Sequence, residues 1–171
     1  TYIGERNFQA MMKGTLYAFL LISLCLFITL RSLRLGMISL IPNMTPPLVA
    51  IGIFAIFNDY VGLWTSFVVA TAIGLIVDAT VHMLSKYQYA RANLKNDPIN
   101  SIRYSFSTVG AALAIASVIL ILGFLVLSTS PFFINAMTGL IVAMTIAAAL
   151  VLDFLLLPPL LLLFDKVSIE T

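Results

Sequence analysis

The sequence predicts an all-α, polytopic transmembrane bundle of five spanning helices, and three observations predict it. Hydrophobic residues make up 61% of the 171-residue chain and charged residues only 9%, against roughly a quarter charged in an average soluble domain. Nine Lys/Arg and seven Asp/Glu are too few to cover a water-facing surface, so most apolar side chains are expected to meet lipid. The apolar residues also fall into runs close to the ~20 residues that a spanning helix needs, broken by short polar stretches.

The first span covers about 12–30 and stops at Arg31-Ser-Leu-Arg34. The second covers about 37–57 and carries Pro42, Pro46 and Pro47, so a kink or unwound turn is expected within it. Asn58-Asp-Tyr-Val-Gly62 reads as a polar turn. The third span, about 63–84, is opened by Trp64, an amphipathic ring suited to the membrane interface. Residues 85–107 interleave Lys86, Arg91, Lys95 and Arg103 with Tyr87, Tyr89, Ile99, Ile102, Tyr104 and Phe106. With Asn96-Asp97-Pro98 as a turn signal, this connector is expected to lie on the membrane surface as short amphipathic helices. The fourth span is about 109–128, Ser130-Pro131 makes a turn, and the fifth runs about 133–157 to Pro158-Pro159.

These spans form a single domain, 1–171. An odd number of spans puts the two ends on opposite sides. Arg31, Arg34, the Lys86–Arg103 set and Lys166 fall on one side, leaving Arg6 and Lys13 on the other. The positive-inside rule then predicts an outside N-terminus, a cytoplasmic C-terminus and a cytoplasmic connector. The single cysteine, Cys25, excludes a disulfide framework, and a net charge of +2 does not point to nucleic acid. With no initiator Met and no signal peptide, the chain reads as a piece of something longer.

Ionisable groups at bilayer depth are costly and usually mark a pathway or relay. Asp78 is the clearest, within Gly74-Leu-Ile-Val-Asp78-Ala-Thr-Val-His82. At helical spacing Thr71, Gly74, Asp78, His82 and Ser85 form one polar stripe, expected to face other helices or water. Asp78 and His82 are therefore the candidate proton relay, with Thr71, Gly74 and Ser85 in support. Ser117 and Thr145 are weaker candidates for reaching that stripe, since Ser and Thr in spans mostly bond their own backbone. Asp153, the other acidic residue in an apolar run, is a further weak candidate, read first as an interfacial residue or as a partner for carbonyls freed by the prolines after it. Gly110–Ala114, Ala112–Ala116 and Gly139–Ala143–Ala147 space small residues four apart, which lets the last helices pack closely. Two potential ligands one turn apart are too few for a metal, no cofactor is expected, and no nucleophile–base pair suggests an enzyme.

From Gly74 to Tyr87, Gly-Leu-Ile-Val-Asp-Ala-Thr-Val-His-Met-Leu-Ser-Lys-Tyr, the sequence resembles the resistance–nodulation–division (RND) superfamily, in its MMPL/Patched-like branch. Ser107-Thr-Val-Gly-Ala-Ala-Leu, Leu122-Gly-Phe-Leu-Val-Leu-Ser, Met137-Thr-Gly-Leu-Ile-Val-Ala-Met-Thr and Asp153-Phe-Leu-Leu-Leu-Pro-Pro extend the likeness in order. The resemblance implies helices eight to twelve of such a transporter, with Asp78 at the position of the proton-carrying carboxylate. Some members follow that residue with Tyr, which pairs with the opposite half; this chain has Ala79.

The resemblance further implies a proton-motive-force-driven exporter of lipids or other hydrophobic compounds in the cell inner membrane. Its expected partners are membrane lipids, the substrate and the N-terminal half of the same transporter, with homo-oligomerisation left open. Two alternatives come from other classes: a sterol-sensing, Patched-like lipid-binding receptor module, and a SecDF-like protein-translocation accessory subunit.

Overall fold

The computed structural model describes residues 2–57 and 64–166. Over these residues the chain is all-helical, as composition and apolar runs predict. Helix α1 spans Tyr2–Leu30, α2 Leu33–Phe57, α3 Trp64–Ala92, α4 Pro98–Ser105, α5 Ala111–Leu127 and α6 Phe133–Lys166, with a π-helical turn at Phe106–Gly110 joining α4 to α5. Among the described residues, three stretches are long and apolar enough to cross a membrane: Leu33–Ile56, Pro98–Leu127 and Phe133–Phe164. The apolar part of α1, Leu16–Leu30, is shorter. The turn expected at Asn58–Gly62 lies outside the described residues.

Helix α6 is the hub. It packs on α2, α3 and α5, while α3 also holds α1 and α2. Leu26, Leu30, Met83, Leu84, Tyr87, Leu157 and Leu161 form one buried apolar cluster. Phe54, Val68, Ile76, Ile141, Val142, Ile146 and Ala149 form a second, nearer the other end of α3 and α6. Helix α5 has no buried residue. Ile115, Ile119, Leu122 and Val126 stand exposed along it, as a lipid-facing helix requires.

The small residues act unequally. A Cβ on Gly139 would lie 2.5 Å from the Phe124 carbonyl oxygen and 2.6 Å from the Ser128 nitrogen, so its hydrogen side chain sets the α5–α6 approach. Ala112 and Ala116, by contrast, face outward.

Three expectations need correction. The connector does not lie as separate surface helices throughout. Helix α3 continues to Ala92, because Met83, Leu84, Tyr87 and Ala90 extend its buried face past the first charges. The short α4 packs back on α3 through buried Ser101 and Ser105, and Ser105 Oγ donates to the Met83 carbonyl at 2.6 Å. It then runs through the π-helical turn into α5.

Second, of the kink or unwound turn expected in α2, the unwound turn is absent: the helix is continuous from Leu33 to Phe57 with Pro42, Pro46 and Pro47 inside it. All three are buried, and packing on α6 and α3 overrides their local cost. Third, α6 does not end at Pro158-Pro159 but continues to Lys166, with Leu157 and Leu161 buried on either side of the prolines.

Candidate functional site

Helix α3 carries two polar faces at one depth. One holds the predicted stripe. Thr71, Gly74, Asp78 and His82 are exposed and Ser85 is half-buried. The side chains of Asp78 and His82 are 74% and 56% exposed, and His82 Nε2 lies 3.5 Å from Asp78 Oδ1. The spacing of one turn therefore produces a carboxylate–imidazole pair. A Cβ on Gly74 would meet nothing within 4 Å.

The stripe was expected to face other helices or water. Among the described residues no helix covers Asp78, and the pair is open on the outer surface of the bundle.

The opposite face of α3 holds a second polar group. Thr80, two residues after Asp78, is fully buried, and its Oγ1 lies 2.8 Å from Asn43 Oδ1 on α2. The same oxygen lies 3.2 Å and 3.4 Å from Asp153 Oδ1 and Oδ2 on α6. Asp153 is only 5% exposed and Asn43 1%. This corrects the reading of Asp153 as interfacial or as a partner for carbonyls freed by Pro158 and Pro159. Asp153 lies four residues from Ala149 in one apolar cluster and four from Leu157 in the other, so helical geometry places it between them, at mid-bundle. There its partner is a side chain of α3.

The hydrogens of this group can be counted. Thr80 has one hydroxyl hydrogen and acceptors on two neighbours, and it can serve only one of them fully. Donation to Asn43 leaves the Asp153 contact to be completed by a proton on Asp153, which would donate to Thr80 Oγ1. With the Asn43 amide turned over, Nδ2 would donate to Thr80 Oγ1, and Thr80 would donate to an ionised Asp153. In the structure Asn43 Oδ1 faces Thr80 Oγ1, and Asn43 Nδ2 is buried without a hydrogen-bond partner. The two arrangements differ by one proton and one amide rotation.

Ser117 and Thr145 do not join the Asp78 stripe. Ser117 lines a cavity of about 30 Å³ with Asp153, Phe154 and Met83, room for about one or two waters. Thr145 is buried and donates to the Ile141 carbonyl of its own helix at 2.7 Å. Asn43 was not singled out from sequence. Its only local signal is a polar residue between prolines in an apolar run.

The apolar outer surface and the polar groups held within and upon it suit a polytopic membrane domain. No match was found among curated proteins. The MMPL family model matches residues 5–168, nearly the full length of this all-helical chain, which therefore belongs to the MMPL family as a transporter-type membrane domain.

Proposed function

We propose that this chain is the C-terminal membrane half of a proton-motive-force-driven exporter of lipids or other hydrophobic compounds, working in the cell inner membrane. The observation that carries the reading is the Asp78–His82 pair, 3.5 Å apart on a face of α3 that the chain's own helices leave open. In a bilayer such a face needs a protein or water neighbour. The N-terminal half of the same transporter is the neighbour we assign to it, with the basic end of the bundle towards the cytoplasm.

In this scheme Asp78 takes up a proton from the outer side, and His82, nearer the basic end of α3, receives it on the way to the cytoplasm. The change of charge on α3 biases two packings of the bundle. Thr80 lies on the same turn, so a shift of α3 reaches Asn43 on α2 and Asp153 on α6 through their shared hydrogen bonds. Asp78 drives, and the buried group transmits.

The test is proton-coupled efflux by the whole transporter in proteoliposomes. Asp78→Asn, with normal insertion, abolishes efflux driven by a pH gradient. Unchanged proton-linked efflux would sink the proposal. Lipid crosslinking that persists without any proton dependence would favour the receptor alternative instead.

A further inference from the structure

One end of the bundle carries a groove of about 1280 Å³ between the α1–α2 turn, the end of α3 and the end of α6. Arg31, Arg34, Arg91 and Lys95 line it, and no carboxylate does among the described residues. On α2 its wall continues through Met37 and Ile41, which are 64% and 46% exposed and one turn apart on one face. Cations therefore stand at the helix ends, and an apolar strip leads from them towards the middle of a spanning helix.

Backbone conformation adds an independent reason. Among the described residues, the non-glycine residues with positive φ are Arg31, at 45°, and Lys95, at 52°. Both line this groove, and both lie just beyond a helix C-terminus. Glycine adopts that left-handed conformation most easily. A long cation at both places supplies charge where the backbone alone would favour glycine. Arg91 Nη1 also donates to the Asn96 carbonyl at 2.8 Å, which ties the end of α3 to the turn that presents Lys95.

We propose that this groove binds an anionic phospholipid of the surrounding bilayer, with its phosphate against Arg31 and Lys95 and an acyl chain along Met37 and Ile41. The shape and charge fit that occupant. A headgroup phosphate sits at the depth of helix ends, and basic pockets between spanning helices favour anionic headgroups. The chain then lies where lipid would contact Met37 and Ile41 in any case. Asp78 and His82 do not line the groove, so lipid retention and proton coupling can fail separately.

The test uses the full chain, purified in mild detergent with added phosphatidylglycerol or phosphatidylcholine and examined by native mass spectrometry. Phosphatidylglycerol is retained in preference to phosphatidylcholine. Arg31→Gln with Lys95→Gln lowers that retention by roughly 30-fold, whereas Lys86→Gln with Arg103→Gln, an equal loss of charge outside the groove, leaves it unchanged. Arg31→Gly with Lys95→Gly, which suits the backbone, loses the lipid equally while the fold is kept. Equal loss in the control pair would reduce the effect to diffuse charge attraction and overturn the proposal. So would displacement of the lipid by inorganic phosphate, which would make the groove an anion site only.

Discussion

Asp78 and Asp153 are both carboxylates set in apolar helices, and their surroundings are opposite. Asp78 stands open on the outer face of α3 with His82 beside it. Asp153 is enclosed between two apolar clusters and approaches Thr80, on the far face of the same helix turn. The difference teaches that apolar sequence context alone does not say how a carboxylate is used. An exposed, paired group can exchange its charge without disturbing the packing of its own bundle. A buried group that joins three helices cannot change without reaching all three.

The largest expected effect separates the two in activity. Asp78→Asn reduces proton-driven efflux to background while leaving the thermal unfolding of the purified chain unchanged, because no packing contact of this bundle depends on its charge. Asp153→Asn keeps a side chain of the same shape that can still bond Thr80, and retains most of the efflux. Loss of efflux in both variants would erase the distinction.

In stability the order reverses. Asp153→Leu removes the α6 partner of the buried Thr80 hydroxyl while its bond to Asn43 stays, which costs about 1–3 kcal/mol, read as a lower melting temperature in detergent. Asp78→Leu should not shift it. The glycines sharpen the same contrast. Gly139→Ala forces a methyl group against the backbone of α5 and destabilises by about 1–3 kcal/mol. Gly74→Ala meets nothing within this chain, so it leaves melting unchanged and lowers efflux only through the face it shares with Asp78. His82→Gln gives the smallest effect, a slowed efflux weaker than the loss at Asp78, because the carboxylate remains.

The helical class was legible in sequence, as was the placing of Thr71, Gly74, Asp78 and His82 on one face of α3, because both rest on local periodicity. Apolar runs near spanning length and polar residues three and four apart need no knowledge of distant neighbours. The buried group was not legible for the converse reason. Thr80 is 37 residues from Asn43 and 73 from Asp153, and nothing near Asp153 in sequence marks it as facing them.

Helix ends failed where local chemistry was overridden. Lys86 and Arg91 suggested a surface connector, yet Tyr87 and Ala90 between them are buried and carry α3 onwards. Pro42, Pro46 and Pro47 suggested an interruption, yet their buried positions keep α2 helical. The basic clusters of the α1–α2 turn and the α3 end were expected on one side, and they line one groove.

Infrared difference spectroscopy of the whole transporter, recorded across a pH change, tests most directly which carboxylate exchanges the coupling proton. The carboxylic-acid band that appears on acidification should vanish in Asp78→Asn and persist in Asp153→Asn. A band that persists without Asp78 and vanishes without Asp153 would contradict the assignment and move the coupling site into the buried group.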